Sequence, residues 1–441
     1  MFTLRRVILA CSVLALLAIA GGGYYYYHER SQPAAAASAS YKTPQEASPY
    51  VRFDMDVYDI ITANYWQKAA DSDLAGLFQL SLQKALNASS VPALPTPDRT
   101  GVVQALAAAF ATATSTDARA ALAENVATIA LNNLAPAGRS GLLSQQQETA
   151  LRQEVSNVHP DTDLYGDLGL AKGASPQAVA QAYDTKKSEL ADATSSDAKA
   201  ELAQAAYANQ VLSNTNSKSL YDQAQIEPTV FGRILGKTLY INMTQVSPTS
   251  LEEFAYAVDA ASSTPGLDSM IIDLRGNIGG ALDFTQGFLG LFIGQNQYAF
   301  DLFHQGDYDV QRTTSDTFSE LSRFGDVAFL VDNMTQSTAE LTTAVFKKFR
   351  LAHVVGVTTR GWGTVENTFP IEAPIDPTQT FSVLLVHSIT LREDNQPIEG
   401  RGVTPDVDTS KEGWQTQLSK YFRSASLISA LKQYATEPPL K

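Results

Sequence analysis

The chain reads as an α/β protein whose core follows a helical region and a small all-α module. Three observations predict this. From Phe231 onward, short apolar runs such as "KTLYINM" and "VAFLVDN" alternate with amphipathic stretches, which is the pattern of strands packed against helices. Between Val51 and Asn157 the apolar residues instead recur at three and four residue spacing. The stretch from Asp163 to Gln223 has its own helix starts and its own polar loop.

Taken in order, the first element is an apolar run, Val7 to Tyr27, preceded by Arg5 and Arg6. At about 1.5 Å per residue it is just long enough to cross a hydrocarbon core of about 30 Å. The two arginines place the N-terminus in the cytoplasm and the bulk of the chain outside, with Tyr24 to Tyr27 at the far interface. The small residues of "AIAG", Ala18 to Gly21, leave a removed signal peptide open as the alternative. With the linker-like "SQPAAAASAS", residues 1–40 read as an anchor or signal peptide plus spacer, and the rest as extracytoplasmic, secreted if the leader is removed.

Composition narrows the function. The formal charge of -14 and the lack of a basic stripe exclude a phosphate-tracking, nucleic-acid role. Cys11, the single cysteine, lies in the N-terminal run, so neither an intrachain disulfide nor a thiolate metal cluster is expected. No cluster of His and carboxylates has metal-ligand spacing, and "GNIGG" lacks a phosphate-loop or dinucleotide pattern, so no metal or cofactor is expected.

Residues 41–158 form the helical region, opening with Phe53, Val57, Ile60, Ile61 and Tyr65 on one face. Residues 159–226 follow as the small module. Its "LYGDLGL" opening, Ser175 and Pro176 at a helix start, Tyr183, and the closing Ala206, Tyr207, Val211, Leu212 and "LYDQ" resemble a J-domain. That family stimulates a chaperone through a His-Pro-Asp loop between its second and third helices; here the loop reads "ADATSSDAKA", and the only "HPD", His159 to Asp161, precedes the module's first helix. A J-like module without a chaperone partner is expected, and a plain three-helix insertion describes it equally well.

Residues 230–410 carry the α/β core and residues 411–441 a closing helix, "GWQTQLSKYFRSASLISALKQY". Two loops in the core carry chemistry. In "DLRGNIGG", Asp273 to Gly280, glycines after an apolar strand let the backbone bend and present N–H groups, which suits a developing oxyanion and suits a tight turn equally. In "VDNMTQSTAEL", Ser337 stands three residues before Glu340, the spacing of a capping box, so from the residues alone it is either a helix cap or a nucleophile beside the Thr338 N–H.

These two loops, with "AHVVGVTTRGWGTVENTFPI" and "IEGRGVTPDV", resemble the C-terminal processing peptidases, or tail-specific proteases, over about residues 232–408. The resemblance implies a ClpP/crotonase-like α/β core, with the J-like module standing where family members carry a peptide-binding PDZ domain. It also implies Ser337 as nucleophile and the N–H groups of Gly279 or Gly280 and of Thr338 as oxyanion donors. The family's base, a lysine in a "TFGKG" turn, is absent: the turn here is "TRGWG" and Trp362 stands at the lysine position. Indole has no basic nitrogen, and Arg360 stays protonated. Lys347 and Lys348 lie about 15 Å along the helix from Ser337 and read as a solvated face.

A branch resembling the tricorn protease core uses Ser, His and Glu. Its counterpart here makes His159 the candidate base, although direct alignment puts Asp161 in the histidine's place, and makes Glu399 the acidic partner. His353 and His387 read as core histidines in strands and His304 as a loop residue. The expected function is a membrane-anchored serine endopeptidase acting on extracytoplasmic polypeptides. The alternative is an inactive relative that binds polypeptide ends or a partner.

Overall fold

The computed structural model describes residues 42–191 and 195–440. The anchor and Cys11 lie outside the described residues, and among these no helix is long and apolar enough to cross a membrane. The helical region comprises α1 (Pro49–Asn64), α2 (Asp71–Ala85), α3 (Arg99–Thr112) and α4 (Thr116–Asn132). Their starts follow from local chemistry: proline opens α1, and the side chains of Asp98 and Ser115 accept the first-turn N–H groups of α3 and α4.

The stretch does not stay helical to residue 158, because Gly141–Ser144 forms strand β1, before α5 (Gln145–Val155). Strand β1 pairs antiparallel with β10 (Phe381–Thr390), which lies far along the chain. The sheet path is β1, β10, β5 (Tyr298–His304), β6 (Asp307–Arg312), with β9 (Thr364–Pro370) also on β10. Phe381, Val383, Leu385 and Ile389 pack into the same core as Phe53, Val57 and Ile61. The helical region therefore shares its core with this sheet.

One buried group in that core is out of place: Asp54 on α1 is fully buried and neither carboxylate oxygen has a hydrogen-bond partner. Burial holds its pKa well above the ordinary value of 3.8. The unfolded chain therefore ionises at a lower pH than the folded one, and stability falls as pH rises through the interval between the two. Asp54→Leu is expected to flatten that slope and to gain about 1–3 kcal/mol near pH 7. Urea unfolding at several pH values checks this, and an unchanged slope would refute it.

The small module contains α6 (Pro176–Glu189), α7 (Ser196–Ser213) and α8 (Thr215–Ala224) around Leu164, Tyr165, Val179, Val211, Leu212 and Tyr221. Its opening "LYGDLGL" forms only a short 3-10 turn at Gly166–Leu168.

The core's six-stranded sheet runs β11 (Val407–Asp408), β8 (His353–Gly356), β7 (Asp326–Val331), β4 (Ser269–Asp273), β3 (Thr238–Met243), β2 (Val230–Leu235). Only the β2–β3 pair is antiparallel. Alternation sorts its side chains. Leu239, Ile241, Met270, Ile272 and Phe329 face α9 (Ser250–Ala261), α10 (Asp283–Ile293) and α11 (Thr338–Lys348), while Tyr240, Ile271, Ala328 and Leu330 face the C-terminal helices.

The closing helix is two, α12 (Trp414–Tyr421) and α13 (Ala425–Tyr434). The break occurs because Asp326 takes the N–H groups of Arg423 and Ser424, at 2.6 Å each, and the Ser424 hydroxyl then caps α13.

Candidate active site

Strands β4 and β7 are parallel neighbours, so the loops leaving their C-terminal ends emerge side by side. Short polar bonds join them. Gly276 donates to Asp332 at 3.0 Å, the Thr335 hydroxyl to the Leu274 carbonyl at 2.8 Å, and the Gln336 N–H to the Asn277 carbonyl at 2.9 Å. Thr335 is thus fully buried and structural. Below them, Asp273 pairs with Arg275, whose guanidinium also donates to the carbonyls of Ala435 (3.0 Å) and Glu437 (2.6 Å).

Ser337 ends the second loop at the N-terminus of α11 with φ 55° and ψ −128°, a conformation costly for a residue with a side chain. Gly279 is pressed against it: a Cβ on Gly279 would lie 2.6 Å from that of Ser337, and one on Gly280 would lie 1.8 Å from the Val246 carbonyl oxygen. Only glycine fits at either place. The Gly279 N–H points inward to Asn277 Oδ1 at 2.8 Å and is unavailable to a ligand, which corrects one of the expected oxyanion donors. The N–H groups of Gly280 and Thr338 have no hydrogen-bond partner among the described residues. The Thr338 hydroxyl donates to the Gly280 carbonyl at 2.9 Å, holding the two loops together.

The two arms of the capping box are unequal. Glu340 accepts from the Ser337 N–H at 3.0 Å, but its own N–H gives its well-directed bond to the Ser337 carbonyl at 2.9 Å. The serine hydroxyl faces that N–H without taking a proper hydrogen bond from it.

Glu340 does more than cap. Fully buried, it also accepts from the Thr359 hydroxyl (2.5 Å) and the N–H groups of Gly361 (2.7 Å) and Trp362 (2.8 Å). Burial lifts its pKa above the ordinary carboxylate value, although these donors pull the other way. With both oxygens doubly occupied, it positions the "TRGWG" turn against the serine loop and has no lone pair left for a proton.

Trp362 lies in a stack that the sequence reading missed. The Arg139 guanidinium sits 3.4 Å from the centre of the indole ring and pairs with Glu399 at 3.1 Å. The second Glu399 oxygen takes the Gly363 N–H at 2.8 Å. The indole N–H donates to Glu366 at 3.2 Å, and burial raises the pKa of that carboxyl. Neither Arg139 in "PAGRSG" nor Glu366 in "TVENTF" carries a local signal; Arg139 arrives through the turn that precedes β1.

The expected His159–Glu399 pair is corrected. His159 sits where the chain enters the small module, its Nε2 facing Asn157 Oδ1 at 3.1 Å, while both Glu399 oxygens are engaged elsewhere. The upstream partner of Glu399 is Arg139, which cannot serve as a base.

The other cations and imidazoles are also accounted for. Lys347 is not a solvated face: it pairs with Glu393 at 3.0 Å and donates to the Thr404 carbonyl at 2.6 Å. His304 ends β5 with its ring stacked 4.2 Å from that of His387, and burial pushes the His387 pKa down to about 4. His353, expected in the core, is 42% exposed beside Asp406. No group of His, Cys, Asp and Glu among the described residues could hold a metal ion.

Comparison with known proteins places this geometry. Residues 237–409, which contain the glycine loop, the serine loop and the tryptophan turn, match the model of peptidase family S41. Over these residues the chain is similar to that family. The chain is similar to a probable CtpA-like serine protease of Staphylococcus aureus strain N315, with 30% identity over 149 residues, 33% of this chain and 28% of the relative. A protein of the same description from Staphylococcus saprophyticus is 28% identical over 152 residues, 34% of this chain and 29% of the relative. The chain thus spans under a third of the length of these curated relatives.

Among solved structures, the photosystem II D1 C-terminal processing protease matches with TM-score 0.46 and 12% identity, over 82% of this chain and 93% of that one. A lipoprotein from Streptococcus agalactiae matches with TM-score 0.45 and 14% identity, over 84% and 96%.

Proposed function

We propose that the protein is a membrane-anchored serine peptidase that hydrolyses peptide bonds of extracytoplasmic polypeptides, with Ser337 as nucleophile. The observation that carries this is the strained Ser337 held against Gly279, with the N–H groups of Gly280 and Thr338 unpaired beside it. Strain kept at one half-buried serine, next to two unengaged donors, is what acyl transfer requires and what a helix cap does not. The exposed Ile278 and Met334 on the two loops offer apolar contact to a substrate side chain.

In the reaction, Ser337 Oγ attacks the carbonyl carbon while its proton passes to a solvent water and from there to the departing amine as the C–N bond breaks, and a second water then hydrolyses the acyl-enzyme. Gly280 and Thr338 hold the carbonyl oxygen as it gains charge. No lysine or histidine among the described residues is bonded to the serine hydroxyl, so hydrolysis is expected to be slow. Anchoring rests on Arg5, Arg6 and the Val7 to Tyr27 run.

A second reading, polypeptide binding without cleavage, has one observation in its favour: the Arg139 guanidinium stands where a base would be oriented by Glu399.

The test is hydrolysis of reduced casein by the purified protein, followed for hours, beside its Ser337→Ala variant. Cleavage that disappears in the variant is expected. Absent or equal cleavage in both would overturn the peptidase reading and leave the binding one.

A further inference from the structure

Strand β2 is the last strand of its sheet, and among the described residues no strand pairs with its outer edge. A two-residue turn at Gly236 and Lys237 joins β2 to β3, so Leu235 and Thr238 close the ladder as a hydrogen-bonded pair. Alternation from that pair leaves the peptide groups of Val230, Gly232 and Ile234 pointing away from β3. The position of Glu253 agrees, since its carboxylate takes the Val230 N–H at 3.0 Å from outside the ladder. Among the described residues no such hydrogen bond reaches the outward peptide groups of Gly232 or Ile234.

Beside this edge lies a cavity of about 480 Å³, walled by α8 of the small module on one side and by β2 and α9 on the other. Leu220, Val230, Ile234, Tyr256 and Ala257 give it an apolar lining, and Ile234 and Tyr256 are 44% and 43% exposed. None of the lining residues belongs to the Ser337 site. Exposed edges are ordinarily blunted by lysine, proline or a bulge. Here the edge carries Gly232, Arg233 and the exposed Ile234, with neither lysine nor proline.

We infer that this edge is a docking site for an extended segment of the polypeptide to be cleaved, which adds to the sheet as a strand beyond β2 and places an apolar side chain in the cavity. The occupant follows from the chemistry. Outward N–H and C=O groups repeating along a strand are satisfied by another peptide backbone and not by a small apolar molecule. The small module supplies the far wall, which gives it a role in holding polypeptide without any chaperone. The inference rests on the peptidase reading for the identity of the chain that docks, though not for the docking itself.

The experiment uses the full chain carrying Ser337→Ala, so that bound polypeptide is not consumed, and fluorescein-labelled reduced, carboxymethylated casein as the probe, read by anisotropy. Ile234→Lys and Tyr256→Glu, both at exposed positions, are each expected to weaken binding by about tenfold or more. Val310→Lys, at the edge of the other sheet, is expected to leave it unchanged. Unchanged binding in both groove variants, or equal loss in the Val310 control, would overturn the inference. The two readings fail separately. Casein cleaved by the native protein but bound normally by the groove variants sinks the docking and spares the peptidase. Binding lost in those variants with no cleavage by any form does the reverse.

Discussion

Trp362→Lys is expected to raise casein hydrolysis by about 10²–10⁴-fold, the usual contribution of a positioned general base. The backbone at this position is already fixed, because Glu340 holds the Trp362 N–H at 2.8 Å and the Ser337 N–H at 3.0 Å with the same carboxylate oxygen. A lysine here would start from a correctly placed Cα. Two neighbours would set its pKa in opposite directions: Arg139, now stacked on the indole, would lower it, and the buried Glu366 carboxylate would raise it. Only the neutral amine accepts a proton, so activity should climb with pH. A pH profile of the variant beside the native protein measures this. No gain at any pH would mean that the oxyanion donors or the serine are not arranged for acyl transfer after all.

The second large effect belongs to Glu340. Glu340→Ala removes one acceptor from three backbone N–H groups and a threonine hydroxyl, all at or near the base of the site. Leaving buried donors unsatisfied costs about 1–3 kcal/mol each, and with partial rescue by water a loss of about 3–5 kcal/mol is expected. Glu340→Gln should not restore the fold, because its amide presents two donors to groups that are themselves donors. Thermal unfolding of both variants tests this. A midpoint within about two degrees of the native one in Glu340→Ala would show that the carboxylate is dispensable to the fold.

Much of this architecture was legible in the residues. The runs "KTLYINM" and "VAFLVDN" located β3 and β7 to within a residue or two, since each is a compact apolar stretch bounded by polar residues. The glycine loop and Ser337 were found because their chemistry is written in adjacent residues. What escaped was long-range. Strand β1 is four residues with no alternation of its own and exists only because β10 is there to pair with. For the same reason Arg139 was invisible: its partners, Trp362 and Glu399, are more than two hundred residues along the chain. The His159 assignment failed by treating sequence register as spatial register. The split between α12 and α13 is likewise imposed from outside, by Asp326, in a stretch whose helical periodicity continues unbroken.

The ties from Arg275 to the carbonyls of Ala435 and Glu437 also order events in time. The glycine loop is synthesised well before these residues, so a chain still leaving the ribosome has Arg275 paired to Asp273 but lacks the acceptors that complete its shell. The loop that would hold an oxyanion is therefore braced last. Should the peptidase reading hold, activity would depend on the docking of the C-terminal helix as well as on the residues around Ser337.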